Sequence, residues 1–224
     1  MHETAMKNGE YFFKTYAKYI DNSTVAKVVE IGSQDVNGSL RAVCPTNFKY
    51  IGMDFQQARG VDVVLDDPYK LPLDDASVDI VVSSSCFEHS EMFWLVFLEV
   101  MRVLKSDGLF YLNAPSAGSF HQYPVDCWRF YPDSGKALIT WAKRNGFNSA
   151  LLESYTQIGG SCYQDFVSVF IKNKDFAEKY PQRILDEKID FENGQIYNGS
   201  SIIKPSYYSQ NEIKLTEIQK IIND

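Results

Sequence analysis

The chain has no Cys-x-x-Cys pair: its four cysteines, Cys44, Cys86, Cys127 and Cys162, are scattered singly. That spacing excludes a zinc knuckle and offers no disulfide framework, so the residues read as free thiols. Runs of lysine or arginine are also missing. With 22 basic against 29 acidic residues, the formal net charge is −7. Such a chain has no general attraction for phosphate backbones or anionic lipid, and no nucleic acid is expected as a partner. No apolar stretch approaches the roughly 20 residues a bilayer span needs, so no membrane insertion is expected. Met1–Glu10 lacks the apolar core of a secretory leader, which points to a cytoplasmic protein. The Asn-x-Ser/Thr triplets at Asn22, Asn37 and Asn198 are then chance matches. No internal repeat occurs, and no metal site is expected.

What the chain holds in quantity is apolar and aromatic surface. Of its 224 residues 45% are hydrophobic, with 14 Tyr and 15 Phe, enough for one α/β domain and a tail. Short β-branched or aromatic runs bounded by turn residues read as buried strands: Val25–Ile31, Tyr50–Asp54, Val61–Leu65, Val78–Val82 and Leu109–Leu112. Ala150–Tyr155 and Phe166–Ile171 read as two closing strands with a bend at Ile158–Gly160. Glu10–Ile20 is an amphipathic aromatic helix. Glu91–Lys105 is a buried helix with Ser90 as its N-cap, and Asp133 starts a third helix that Gly146 stops. The alternation predicts an α/β fold with a parallel sheet and helices on both faces. The domain is expected to span 1–171. The more polar 172–224 is expected to be an appendage (tail, lid or oligomer contact), with a helix over Asn211–Ile222.

Ligands in such sheets bind at the carboxyl ends of the strands, so the residues just after each strand carry the function. The first run leads into Glu30-Ile-Gly-Ser-Gln-Asp-Val-Asn-Gly-Ser39. Gly32 permits a tight turn with close backbone approach. Gln34 stands where a dinucleotide loop needs its second glycine, and Glu30 would repel a pyrophosphate but suits an ammonium or sulfonium ligand. Both features disfavour a nicotinamide-dependent oxidoreductase. Asp54 closes the second strand, placed to accept ribose hydroxyls. Asp66 and Asp67 close the third, and either is placed to accept from an adenine amino group. The fourth runs into Ser83-Ser84-Ser85-Cys86-Phe87-Glu88-His89. There His89 is either a general base or a structural residue at a helix start.

Taken together, VVEIGSQDVNGSLR, YIGMDFQQARGVDVVLDD, LPLDDASVDIVVSSSCFEH and EVMRVLKSDGLFYLNAP resemble the ordered motifs of the class I S-adenosylmethionine-dependent methyltransferases, type-11 branch. Ser106 and Asp107 replace the usual Pro-Gly turn. The resemblance, over about Val25 to Phe147, implies a Rossmann-like, doubly wound, mostly parallel seven-stranded sheet with helices on both faces and an antiparallel closing strand. It implies S-adenosylmethionine as cofactor, with S-adenosylhomocysteine as product. Glu30, Gly32, Ser33 and Gln34 would border the methionine part. Asp54 would hold the ribose, Asp66 or Asp67 would meet the adenine, Ser84 would lie near the centre, and Phe55 would also bind the cofactor. Gln34, where many relatives have Gly, departs from the pattern.

His121-Gln-Tyr-Pro-Val-Asp-Cys-Trp-Arg-Phe130 resembles a segment found in part of this branch and loosely associated with saccharide pathways. His121, Tyr123, Asp126 and Arg129 are its candidates for base, orienter or acceptor clamp, and Trp128, Phe130 and Tyr131 for an apolar wall. Asp126 and Arg129, three apart, equally suit a local ion pair. The expected activity is methyl transfer to a small-molecule acceptor, a saccharide or sugar-linked metabolite. The alternative is an inactive scaffold of the same fold, and a homodimer is compatible with either.

Overall fold

The computed structural model describes residues 2–21, 23–158, 164–208 and 210–223. Eight strands form one sheet: β1 (Lys27–Ile31), β2 (Lys49–Asp54), β3 (Val63–Val64), β4 (Val78–Ser84), β5 (Leu104–Ala117), β6 (Ala150–Gln157), β7 (Gln164–Ile171) and β8 (Phe191–Ile196). Their spatial order is β3-β2-β1-β4-β5-β7-β6-β8. Neighbours among β1 to β5 pair in parallel, while β7 runs antiparallel to both β5 and β6. The doubly wound class is therefore as expected, with one strand more. The extra strand, β8, pairs antiparallel with β6 and comes from the polar stretch after residue 171. Its sequence, FENGQI, has no run of apolar or β-branched residues to announce it.

Alternation along β1 assigns the two faces. Val28 packs with Phe12, Phe13 and Tyr16 of α1 (Glu3–Tyr16) in one core. Val29 and Ile31 pack with Phe97, Val100 and Met101 of α2 (Phe93–Val103) and Leu138 of α3 (Ser134–Arg144) in the other. Burying these side chains contributes roughly 1.5–3 kcal/mol each, which is what holds helices to sheet. The connections from β1 to β4 contain no α-helix, only a short 3-10 turn at Leu40–Ala42. The α1 face is completed instead by 3-10 segments at Ala17–Tyr19, Lys174–Lys179 and Ile184–Asp186. A last helix, α4 (Gln210–Asn223), agrees with the expected one.

Several boundaries move. α1 begins at Glu3 rather than Glu10. Ser90 does not cap α2: residues Phe87–His89 form a 3-10 turn, and Met92 stands at the cap without a side-chain bond. The Ser90 carbonyl instead accepts the Trp128 indole N–H at 2.9 Å. Asp107-Gly108, expected as a turn, lies within the long β5. Gly146 ends the α3 segment as expected, at φ +87. The bend at Ile158–Gly160 falls partly outside the described residues.

One buried carboxylate joins three parts of the chain. Glu153 on β6 is fully buried and accepts from Tyr16 Oη at 2.5 Å, Ile184 N at 2.8 Å and Leu185 N at 3.1 Å. It thereby ties α1 and the chain leading to β8 to the central sheet. Glu153→Leu would strand three buried donors, each costing about 1–3 kcal/mol when unsatisfied. We expect the variant to lose at least roughly 3 kcal/mol in urea unfolding. An unchanged midpoint would mean that the segment around Ile184 is held by other contacts.

Candidate active site

A cavity of about 610 Å³ opens at the carboxyl ends of β1, β2 and β4. The chain leaves β1 through Gly32, whose φ is +80. A side chain is excluded there twice over, because a Cβ would lie 2.4 Å from that of Cys86. The N–H groups of Gly32 and Ser33 both donate to the Met53 carbonyl, at 3.0 and 3.2 Å, which fixes the turn against β2. At the end of β2, Asp54 is 5% exposed and lines the cavity. Its Oδ1 accepts from Gln34 Nε2 at 3.0 Å and from Gln56 N at 3.3 Å. Phe55, Leu65, Pro68, Tyr69 and Val96 add apolar lining to the same cavity, and Asp66 lines it too. This separates the two aspartates, for Asp67 is not part of the wall and accepts the Tyr69 N–H at 2.8 Å in a turn.

The arrangement fits an adenosyl sulfonium ligand. Ser84 is 4% exposed, lines the cavity, and its Oγ has no protein partner. Asp54 has no cation among its bonded neighbours, so its carboxylate is suited to accept hydroxyl donors. An apolar lining with a carboxylate in it suits a purine with an exocyclic amine.

Glu30 and Ser33 lie behind this wall rather than in it. Ser33 is buried with its Oγ unpartnered. Glu30 is 2% exposed and accepts from Ser39 Oγ at 3.4 Å. It thus holds the far end of the Gly32–Ser39 loop. Burial pushes its carboxyl up to about 7.

The opposite wall comes from the loop after β5. His121, Tyr123, Pro124 and Val125 line the cavity together with His89 and Ser90. The rings of His89 and His121 meet edge to face, 4.9 Å between centroids. His89 Nδ1 lies 2.5 Å from the Val125 carbonyl, and its Nε2 lies 3.7 Å from Glu88 Oε1. Tyr123 Oη donates to Gln34 Oε1 at 2.9 Å, so Gln34 bridges the loop to Asp54. The departure from glycine at this position therefore has a structural use.

Asp126 and Arg129 do not line the cavity. Two guanidinium nitrogens of Arg129 meet the two Asp126 oxygens at 2.5 and 2.8 Å. Asp126 Oδ2 also accepts the backbone N–H of His121 at 2.7 Å. The Arg129 bonds hold the Asp126 carboxyl well below the usual carboxylate range. The pair orders the loop and, through it, His121. Nor do Trp128, Phe130 and Tyr131 form a cavity wall. Phe130 is buried among Phe87, Phe93 and Phe166, Trp128 packs on Phe93 and Trp94, and Tyr131 points to solvent. Tyr69, Val96 and Val125 belong to the wall without a sequence signal, since an apolar side chain reads the same in a core as in a pocket.

Two measurements probe this end of the molecule. Glu30 stays protonated in the folded protein up to about pH 7, whereas unfolded it ionises near 4.5. The folded state then holds the extra proton, so stability is present below pH 4.5 and lost as pH rises through 7. That gap is worth roughly 3 kcal/mol at most. The thermal midpoint of Glu30→Gln should therefore vary less with pH across this window than that of the wild type, and equal slopes would refute the assignment. Asp54→Ala should weaken S-adenosylmethionine binding more than about tenfold by calorimetry, since it removes a charge-assisted acceptor. Unchanged affinity would place the ligand elsewhere.

Comparison with known proteins agrees with this geometry. Residues 29–112 match the family described as Methyltransferase domain, type 11. No curated protein matches the chain. Among solved structures, 1,6-didemethyltoxoflavin-N1-methyltransferase from Burkholderia thailandensis, bound to 1,6-didemethyltoxoflavin and S-adenosylhomocysteine, superposes with a TM-score of 0.57 at 12% identity. The match covers 77% of this chain and 80% of that one. A SAM-dependent methyltransferase from Archaeoglobus fulgidus gives a TM-score of 0.53 at 17% identity, covering 75% and 94%. These likenesses concern the fold. The family match runs from β1 into β5, so it is this stretch, residues 29–112 of the 224, that resembles a methyltransferase domain.

Proposed function

We propose that the chain methylates a small molecule seated between Ser84 and the wall formed by His89, His121 and Tyr123, and that this acceptor is a saccharide or sugar-linked metabolite. One observation carries the reading: a single cavity runs from Asp54 and Asp66 to the two histidines. Its size is that of small-molecule sites. The saccharide class is supported by the resemblance of His121–Phe130 to a segment associated with such pathways. A wall of two imidazoles and a phenol, with Ser90 and Glu91 beside it, also suits a hydroxyl-rich ligand.

In this reading Asp54 accepts the ribose hydroxyls, Asp66 meets the adenine amine, and Gly32 and Gln34 border the methionine part. The cofactor supplies an electrophilic methyl carbon on a sulfonium, whose leaving group is neutral and needs no acid. The remaining work is alignment, exclusion of water and removal of a proton from the acceptor. His121 takes that proton, and His89 lies close enough to share the task. Asp126 and Arg129 are positioning residues that fix His121 through its backbone N–H. The Tyr123–Gln34 bond straps the loop over the cofactor end.

The test is a screen of sugars and sugar nucleotides for production of S-adenosylhomocysteine, with mass spectrometry of the product. A methylated sugar is the expected result. Turnover only with other small hydroxylated or aminated molecules would overturn the saccharide class, and none at all would favour a non-catalytic scaffold. With the identified acceptor, His121→Ala should lower kcat by about 100-fold or more, the scale of a lost general base, while cofactor affinity stays within about twofold. A normal kcat would leave His121 as scaffolding.

A further inference from the structure

At the acceptor end of the cavity three side chains converge that the methyl-transfer reading does not require to converge. Glu88, His89 and His121 each offer one ligand atom, and these atoms all lie within 4.8 Å of one another. We propose that they form a binding site for a divalent transition-metal ion of the zinc type, with an open coordination position facing the acceptor.

The donor set supports this first. Two imidazoles and one carboxylate make a recurrent catalytic metal set, with water or substrate completing the coordination. The hydrogen bonds support it second. In metal sites the ligating histidine donates its other ring N–H to a carbonyl or carboxylate, which fixes the tautomer. Both histidines meet that condition. His89 Nδ1 is 2.5 Å from the Val125 carbonyl. His121 Nδ1 is 3.1 Å from the Ser119 carbonyl and 3.5 Å from Asp126 Oδ2. An N–H on each Nδ1 places the ring lone pair on Nε2. In His89 that nitrogen lies 3.7 Å from Glu88 Oε1.

Glu88 supplies the third argument. Its side chain is 1% exposed, and its Oε2 has no hydrogen-bond partner. A buried carboxylate with an unsatisfied oxygen is costly unless a proton or a cation meets it. Around an ion with bonds of about 2.1 Å, tetrahedral ligand atoms sit roughly 3.4 Å apart, so the widest pair must close in by up to about 1.4 Å. His121 is on the loop and 34% exposed, and so has room to move. Because both histidines line the cavity, an ion here has an entry path and contact with the acceptor. An acceptor hydroxyl bound to it would release its proton to water at a lower pH. The histidines would then act as ligands, and the ion would take over the activation assigned above to His121. The site itself does not depend on which acceptor is used.

The test uses the full chain after treatment with a chelator, without acceptor. Cobalt(II) is titrated while visible absorption is followed, and zinc(II) binding is measured by calorimetry. A single saturable equivalent of micromolar affinity or tighter is expected, with a visible cobalt band of low coordination number. The chain has only three histidines, and the third, His2, is near enough to His121 for their charges to repel. In the wild-type protein the imidazole NMR signals of His89 and His121 should shift at one equivalent of zinc, and that of His2 should not. Glu88→Gln and His89→Ala should each weaken binding at least tenfold, and His2→Ala should leave it unchanged. Absence of a saturable band, or zinc shifts confined to His2, would overturn the site. S-adenosylmethionine binding measured on the same samples stays positive in either case if the methyltransferase reading holds.

Discussion

At Gly32 the backbone turns through a left-handed conformation and passes so close to Cys86 that no side chain could stand there. The rest of the site depends on that close approach. It brings the loop after β1 against the loop after β4, and the bonds to the Met53 carbonyl lock it to β2. The three strand ends that line the cavity are thereby drawn to one point, with Asp54 on one side and Ser84 on the other. A residue with a Cβ would be strained by its φ and would have to displace Cys86 as well. The loop's other end is held by Glu30, which accepts from the Ser39 hydroxyl.

A second constraint is the amount of ionisable chemistry this domain keeps away from water. Glu30, Glu88, Glu153 and Asp165 are all buried, and burial raises each carboxyl above its ordinary value. They are not equivalent. Glu153 is saturated with donors and is spent on architecture. Asp165 accepts from Thr4 and so ties the start of α1 to β7. Glu88 keeps an unpartnered oxygen beside two histidines at the acceptor end. Position in the sheet makes the difference, because Glu153 sits where the chain after β7 can reach it with backbone donors. Glu88 sits where the chain opens into the cavity.

The loop after β5 shows how one stretch serves packing and chemistry together. Phe130 anchors it in the core beside Phe87 and Phe93, and Trp128 is held by the Ser90 carbonyl. The fork between Arg129 and Asp126 then closes the loop on itself and on the His121 backbone. What remains to face the cavity is the stretch from His121 to Val125. Residues that read as acceptor contacts by their chemistry, Arg129 above all, are thus consumed in presenting their neighbours. The planar fork of arginine suits a carboxylate of its own chain as well as that of a ligand.

By itself the sequence determined the order of strands β1 to β5, the glycine turn, and the acids at the strand ends. Each is encoded locally, in a β-branched run followed by a residue whose backbone or charge suits one place. The eighth strand was not legible, because FENGQI joins the sheet through pairing with β6 and not through a pattern of its own. The helix start at Phe93 was hidden because Ser90 gave its carbonyl to a tryptophan from a distant loop. Sequence left Asp66 and Asp67 equal, and only the path of the chain put the first on the cavity and the second in a turn. The meeting of Glu88 and His89 with His121 was likewise decided by tertiary structure alone. The two segments lie on opposite sides of α2 and β5 in the chain, and only sheet packing brings their side chains together.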